Sequence, residues 1–173
     1  MLWVQTLAAI GTDTINWTES VSSGHEACGY NLRGDTAEPL YEPLSFPRGR
    51  VREIPFAEED LAELRRQVAA WALAHEMRDA DADELMLATH EIAANSVRHG
   101  GGVGILRMWQ EDRTLMCDVQ DAGHIDEPLI GLFPPDEHAS SGRGLWIANV
   151  VCDLVQIRST PRGTQIRLHK RVV

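Results

Sequence analysis

The sequence predicts an α+β fold: a two-layer α/β sandwich whose mainly antiparallel sheet is covered by helices on one face. Three observations predict it. Apolar residues recur at helical spacing in two long stretches between 57 and 98, and again in a shorter one near 144–153. The strand-like stretches after residue 102 come as adjacent pairs around tight turns, giving the order β-α-α-β-β-loop-α-β-β, which groups helices against an antiparallel sheet. The chain has 173 residues, 43% hydrophobic and 24% charged, which suits one ordinary globular domain with an extension.

Residues 1–45 are rich in Gly, Ser, Thr, Asn and Asp, lack periodicity and run into the turn-rich AEPLYEPLSFPRG. They read as an N-terminal extension, partly ordered at most, ahead of a domain over 46–173. Trp3, Trp17 and Tyr30 are unusual in a disordered tail and favour docking of part of it on the body or on a partner. Val51 to Phe56 is an edge strand, because Pro55 would spoil a central ladder. Ala57 to Met77 is a helix with Leu61, Leu64, Val68 and Trp71 on one face. Asp81 or Asp83 is expected to cap a second helix, which runs to about Arg98 and is stopped by Gly100-Gly101-Gly102. Strands over about 103–110 and 114–120 meet at Glu111-Asp112-Arg113. An irregular stretch at 122–142 carries Pro128, Pro134 and Pro135. A third helix spans Gly144 to Asp153, and strands over 154–159 and 164–170 turn at Thr160–Gly163.

Composition excludes several classes. Sixteen basic against 26 acidic residues leave a net charge of −10, so a binder that neutralises nucleic-acid phosphates is disfavoured. Cys28, Cys117 and Cys152 are widely spaced, without a CxxC pair, and read as core thiols rather than as a disulfide framework or zinc site. The N-terminal apolar run lacks the basic flank of a signal peptide, and no stretch approaches a membrane span. The expectation is a soluble, cytoplasmic domain.

Four fragments can carry chemistry. Glu91, Asn95 and His99 stand at i, i+4 and i+8, so they stack on one helix face, offset from Leu85, Ala88 and Ile92. A carboxylate and an amide oxygen one turn apart suit a base and a ligand to hydrated Mg²⁺ whose other ligands are phosphates and water. A solvated polar face would look the same. Asp121-Ala122-Gly123 ends a strand: an acceptor-only carboxylate there would pair with the amino group of adenine and reject guanine, although on this fragment alone an Asp-Gly-type turn is the favoured reading. Ser141-Gly142-Arg143-Gly144-Leu145 precedes a helix, where glycines and free N–H groups accommodate phosphate. Gly163-Thr164 opens the last strand and is by itself a hairpin turn.

Taken together and in order, Glu91-Ile-Ala-Ala-Asn95-Ser-Val-Arg-His99-Gly100, then Asp121-Ala-Gly123, then Ser141-Gly-Arg-Gly144-Leu145, then Gly163-Thr164, resemble the nucleotide-binding domain of the GHKL ATPase/kinase superfamily, the Bergerat fold. The resemblance covers about residues 50–170. The ExxxNxxxHG form and compact size are similar to anti-sigma-factor serine/threonine kinases, and NSVRHGGG, DAGHIDEPLIG and GRGLWIANVVCDLVQIRS to the actinobacterial branch of ATP-binding regulators.

The resemblance implies ATP and Mg²⁺ as cofactors, with Asn95 holding the metal and Glu91 acting as the base toward a Ser or Thr hydroxyl. It implies that Asp121 reads adenine, Gly123 permits its approach and Thr164 lines the pocket floor. Gly142, Arg143 and Gly144, with Leu145 beside them, would surround the phosphates, and 124–141 would form the lid. His99 is grouped with the nucleotide-contacting positions and, at a helix C-terminus, also suits a supporting role. The implied partners are a sigma factor, an anti-anti-sigma antagonist and a second copy of the chain, with no direct nucleic acid and no membrane.

One departure stands out. The family pattern D-x-G-x-G has Ile125 at its second glycine, and a β-branched residue does not adopt φ > 0 cheaply, so the lid hinge must take another path. This supports an alternative class, a partner-binding module without catalysis. A third reading is the catalytic fragment of a larger sensor, although no phosphoacceptor helix is recognisable. The remaining histidines, together with Trp109 and Trp146, read as surface, core or interface residues.

Overall fold

The computed structural model describes residues 44–126, 130–132, 134 and 142–173. Trp3, Trp17, Cys28, Tyr30, Pro128, Pro135 and Ser141 lie outside the described residues, as does most of the extension read over 1–45.

The described elements are β1 (Arg52–Phe56), α1 (Leu61–Ala74), α2 (Asp79–His99), β2 (Gly104–Glu111), β3 (Thr114–Asp121), α3 (Arg143–Val151), β4 (Leu154–Thr160) and β5 (Gly163–Arg171). The strands form one sheet in the order β1-β2-β3-β5-β4, with every neighbouring pair antiparallel. The α+β two-layer expectation therefore holds. Pro55 sits on an edge strand opposite Ile105, where its missing N–H costs no central ladder bond.

The core follows from alternation along the strands. Leu106 and Met108 of β2, Leu115, Cys117 and Val119 of β3, and Ile166 and Leu168 of β5 turn toward the helices and are buried. Leu64, Val68 and Ala72 of α1 and Leu85, Ala88 and Ile92 of α2 meet them. Each large side chain buried this way contributes on the order of 1.5–3 kcal/mol relative to exposure. Trp71, expected at the centre of the α1 face, lies at its margin, tilted against His75 with ring centroids 4.9 Å apart. Cys117 and Cys152 are free core thiols, and burial pushes both up to about 12.

Four boundaries differ from expectation for local reasons. The helix expected over 57–77 is preceded by a 3₁₀ turn at Glu58–Asp60, where Asp60 Oδ2 accepts the Ala57 N–H at 2.9 Å. It ends early, because Glu76 takes a left-handed conformation at φ 61°. The second helix starts at Asp79, and neither Asp81 nor Asp83 is its cap: extended Arg78 occupies that position without a side-chain cap. Asp81 instead accepts Arg78 Nε at 2.6 Å, and this hydrogen bond holds its carboxyl below the usual range. The third helix stops at Val151 rather than Asp153. There, the nearly buried Lys170 donates through Nζ to the Val151 carbonyl (2.6 Å) and to Glu84 Oε2 (2.5 Å), fastening α3 to β5 and α2.

The sheet's other face carries a buried polar cluster. Asp118 Oδ2 accepts Arg167 Nε at 2.9 Å, with both side chains almost wholly enclosed. Arg167 lies over the Trp109 ring, 4.9 Å from its centroid, and donates through Nη1 to the Ser45 carbonyl at 2.9 Å. The Arg48 N–H and Trp109 Nε1 both reach Glu111 Oε1, and these bonds hold the Glu111 carboxyl below its usual range. Residues 45–48 are thus tied across the outer face by main-chain bonds.

Removing Asp118 leaves a buried guanidinium without its counter-ion, so Asp118→Ala is expected to lower unfolding stability by about 3–5 kcal/mol in a denaturant titration. A loss below 1 kcal/mol would show that solvent reaches the pair. Burial holds His169 down at about 4. Between about pH 6.5 and 4 the unfolded chain therefore binds a proton that the folded chain refuses, and stability falls as the pH drops through that window. His169→Gln is expected to flatten this part of the stability–pH curve.

Candidate nucleotide site

Two clusters form along α2, and each is assembled by glycines. At one end are Glu91 and Asn95 of α2, both partly buried. Gly142 enters α3 at φ 84°, with no side-chain cap, so the first-turn N–H groups remain free of the helix's own bonding. Gly144 is buried where a Cβ would stand 3.0 Å from Asn95 Nδ2, 3.2 Å from Glu91 Cβ and 3.3 Å from Glu91 Oε2. The absence of that Cβ lets the positive end of α3 close onto the carboxylate and the amide. Leu145 packs into the core, and Arg143 is exposed at the mouth.

At the other end, Asp121 closes β3 opposite Thr164 of β5. Its Oδ2 accepts the Ser96 hydroxyl at 2.5 Å, and its Oδ1 accepts the Gly123 N–H at 2.7 Å. The carboxylate is therefore held from two sides while each oxygen keeps acceptor capacity. Gly123 is required here, since a Cβ would lie 2.8 Å from the His99 carbonyl and 2.9 Å from Gly100 Cα. The Ala122 N–H donates to the Gly100 carbonyl at 3.1 Å, closing the contact between the end of α2 and the end of β3. The Thr164 hydroxyl donates to the Gly123 carbonyl at 2.9 Å, below the same turn.

The structure thus gathers Glu91, Asn95 and Gly144 in one cluster and Asp121, Gly123 and Thr164 in the other. Asn95 and Ser96 are consecutive, so α2 joins the two. His99 contributes its carbonyl to the packing around Gly123, while its side chain is exposed. Of the segment expected as a lid, Gly131 (φ 80°) lies against Leu145 and Trp146, and its carbonyl accepts Asn149 Nδ2 at 3.2 Å. Ile125 has no positive φ, and its N–H donates to Ser159 Oγ at 2.8 Å, which is the different hinge path that its β-branch demands.

Sequence reading missed Ser96 and Ser159, both buried to 1% exposure. Ser96 did leave a signal, a hydroxyl one turn beyond Ile92 on the apolar face of a helix. Ser159 left none, because its partners come from the loop and from β5.

Helices laid on one face of an open five-stranded antiparallel sheet make the fold of the GHKL ATPase superfamily. The family model described as "Histidine kinase-like ATPase domain" matches residues 54–170. The chain belongs to that family.

A search of the curated proteins finds no match. Among solved structures, the chain is similar to the RsbU and RsbW domains of Rv1364c from Mycobacterium tuberculosis, at 17% identity and a TM-score of 0.55. That likeness is one of fold. It covers 72% of this chain and 33% of the other, so this chain spans about a third of that protein's length. Acinetobacter baumannii histidine kinase AdeS matches at 10% identity and TM-score 0.44, covering 71% of this chain and 68% of that one. The catalytic domain of histidine kinase ThkA matches at 12% and 0.44, covering 70% and 96%.

The close approach at Gly163 yields a test of the base-side cluster. It sits at φ 139°, with an added Cβ directed into the Asp121 carbonyl. Gly163→Ala is expected to cost at least about 1–3 kcal/mol in thermal or denaturant unfolding. A neutral effect would mean that the Asp121–Gly163 contact is not as tight as drawn.

Proposed function

We propose that the chain is an ATP-dependent serine/threonine protein kinase of the anti-sigma class, which holds a sigma factor and phosphorylates an anti-anti-sigma partner. The observation that carries the catalytic part is the closure of the uncapped α3 N-terminus onto Glu91 and Asn95. The regulatory part rests on the ExxxNxxxHG motif and on the neighbouring strings that resemble that branch of the family.

The residues fit a purine nucleotide with Mg²⁺. Asp121, oriented by Ser96 and Gly123, offers acceptors to an exocyclic amino group and none of the donors that guanine's oxygen would need. Missing Cβ atoms at Gly123 and Gly144 let α2 pack closely against the Asp121 turn and against the α3 N-terminus. The Asn95 amide oxygen would be a single protein ligand for Mg²⁺, whose remaining ligands would be phosphate and water oxygens. When bound, ATP supplies the phosphoryl group that is transferred and leaves as ADP. Glu91 would orient the attacking hydroxyl and take its proton, and the α3 N–H groups would stabilise negative charge on the phosphate oxygens. Sparse machinery suffices, because positioning and electrostatics dominate this chemistry.

Ile125 favours a second reading, an ATP-binding module that acts by occupying its partner without phosphotransfer. The two readings separate cleanly. Calorimetric titration is expected to show Mg²⁺-dependent ATP binding with GTP excluded, and Asn95→Ala to abolish the Mg²⁺ dependence. Unchanged Mg-ATP affinity in Asn95→Ala would sink the site assignment. Glu91→Ala is expected to keep ATP binding while phosphotransfer to an antagonist falls by about 10²–10⁴-fold. Binding without any transfer by the parent chain would favour the module.

A further inference from the structure

Ser159 of β4 is almost fully buried, and its single hydroxyl is a meeting point for three groups. Ile125 N–H donates to it at 2.8 Å, His124 Nδ1 lies at 3.0 Å and Thr164 Oγ1 at 2.9 Å. Proton counting orders the set. The Thr164 proton goes to the Gly123 carbonyl, so Thr164 Oγ1 accepts from Ser159. With its proton spent there, the Ser159 oxygen accepts from Ile125 N–H. The His124 ring borders the same hydroxyl through Nδ1, while its Nε2 lies 3.1 Å from Asp126 Oδ1.

We infer that Ser159 is a positioning residue for base recognition: through Thr164 and Ile125 it clamps both sides of the turn that carries Asp121 and Gly123. The role deepens the proposed nucleotide-binding reading and rests on it. Gly123 is bound at its N–H by Asp121 and at its carbonyl by Thr164, while Ile125 two residues on is bound to Ser159. The turn is therefore fixed by side-chain hydrogen bonds where the family pattern places a second glycine, and the clamp replaces backbone freedom with an anchor. Asp121 inherits its aim from this anchoring on one side and from Ser96 on the other.

Amide hydrogen exchange of the nucleotide-free 173-residue chain tests the clamp directly. Ser159→Ala is expected to speed exchange at Ile125 by roughly three- to tenfold, the equivalent of one hydrogen bond, and to leave β3 and β5 core amides unchanged. ATP affinity is expected to fall by a similar factor through faster dissociation. Ser159→Thr, which keeps the hydroxyl, is expected to restore both. If the alanine variant fails to fold, Ser159→Cys keeps the volume while offering only a weak sulfur acceptor, and is expected to show the same acceleration. Unchanged Ile125 exchange in a folded variant overturns the clamp, whatever ATP does. Faster exchange with unaltered ATP affinity overturns the positioning role alone. Failure of the parent chain to bind ATP while its Ile125 amide is protected overturns that role together with the ATP reading, and leaves the clamp as a purely structural contact.

Discussion

The crossing of the α2 C-terminus over the end of β3 is the contact on which the rest of the site depends. Gly100 can be only glycine there, because an added Cβ would run into the Asp121 carboxylate. With that Cβ absent, the Gly100 carbonyl accepts the Ala122 N–H and the Ser96 hydroxyl reaches Asp121. One crossing thus fixes a strand-end carboxylate against a rigid 21-residue helix. The helix rises about 1.5 Å per residue, so Glu91 lies roughly 7–8 Å along the axis from Ser96. The separation between the Asp121 cluster and the Glu91–Asn95 cluster is set by helix geometry, with no loop needed to measure it.

Strand β5 completes the frame by serving both ends and both faces. Thr164 at its start supports the Asp121 turn, while Lys170 near its end holds the C-terminus of α3 through the Val151 carbonyl. The N-terminus of α3 is then free to meet Glu91 and Asn95 across Gly144. On the opposite face, Arg167 of the same strand is neutralised by Asp118 and ties down the Ser45 carbonyl. A shift of β5 would therefore disturb the Asp121 turn, the position of α3 and the outer polar cluster together. Such coupling explains why so few polar side chains can define the site with precision: their supports are shared.

The order of elements, the edge position of β1 and the inner helix faces were legible because each rests on local periodicity or on proline chemistry. The four motif fragments were legible by their order along the chain. Helix ends were less so: the Asp60–Ala57 bond, the left-handed Glu76 and the uncapped Arg78 are choices among several local options that tertiary packing settles. The buried charges on the outer face had no sequence signal at all, since Asp118 and Arg167 stand in alternating strands at positions that read as solvent-facing. Ser96 and Ser159 were overlooked for a related reason. A serine acquires a role only through the partner that the fold brings to it, and both partners lie far along the chain, 25 residues away for Asp121 and 34 for Ile125.

Ile125 shows what the glycine at that position of the family pattern does physically. A glycine contributes no side chain; what it offers is backbone freedom. The chain described here avoids positive φ at 125 and spends the amide on Ser159. With isoleucine at 125, Glu91, Asn95 and the α3 N-terminus still meet across Gly144. A missing motif glycine and a missing catalytic group have different consequences: the first alters how a turn is held, the second what the site can do. By that criterion the residues with chemical capacity, Glu91 and Asn95, weigh more in deciding between a kinase and an inert binding module than the glycine does.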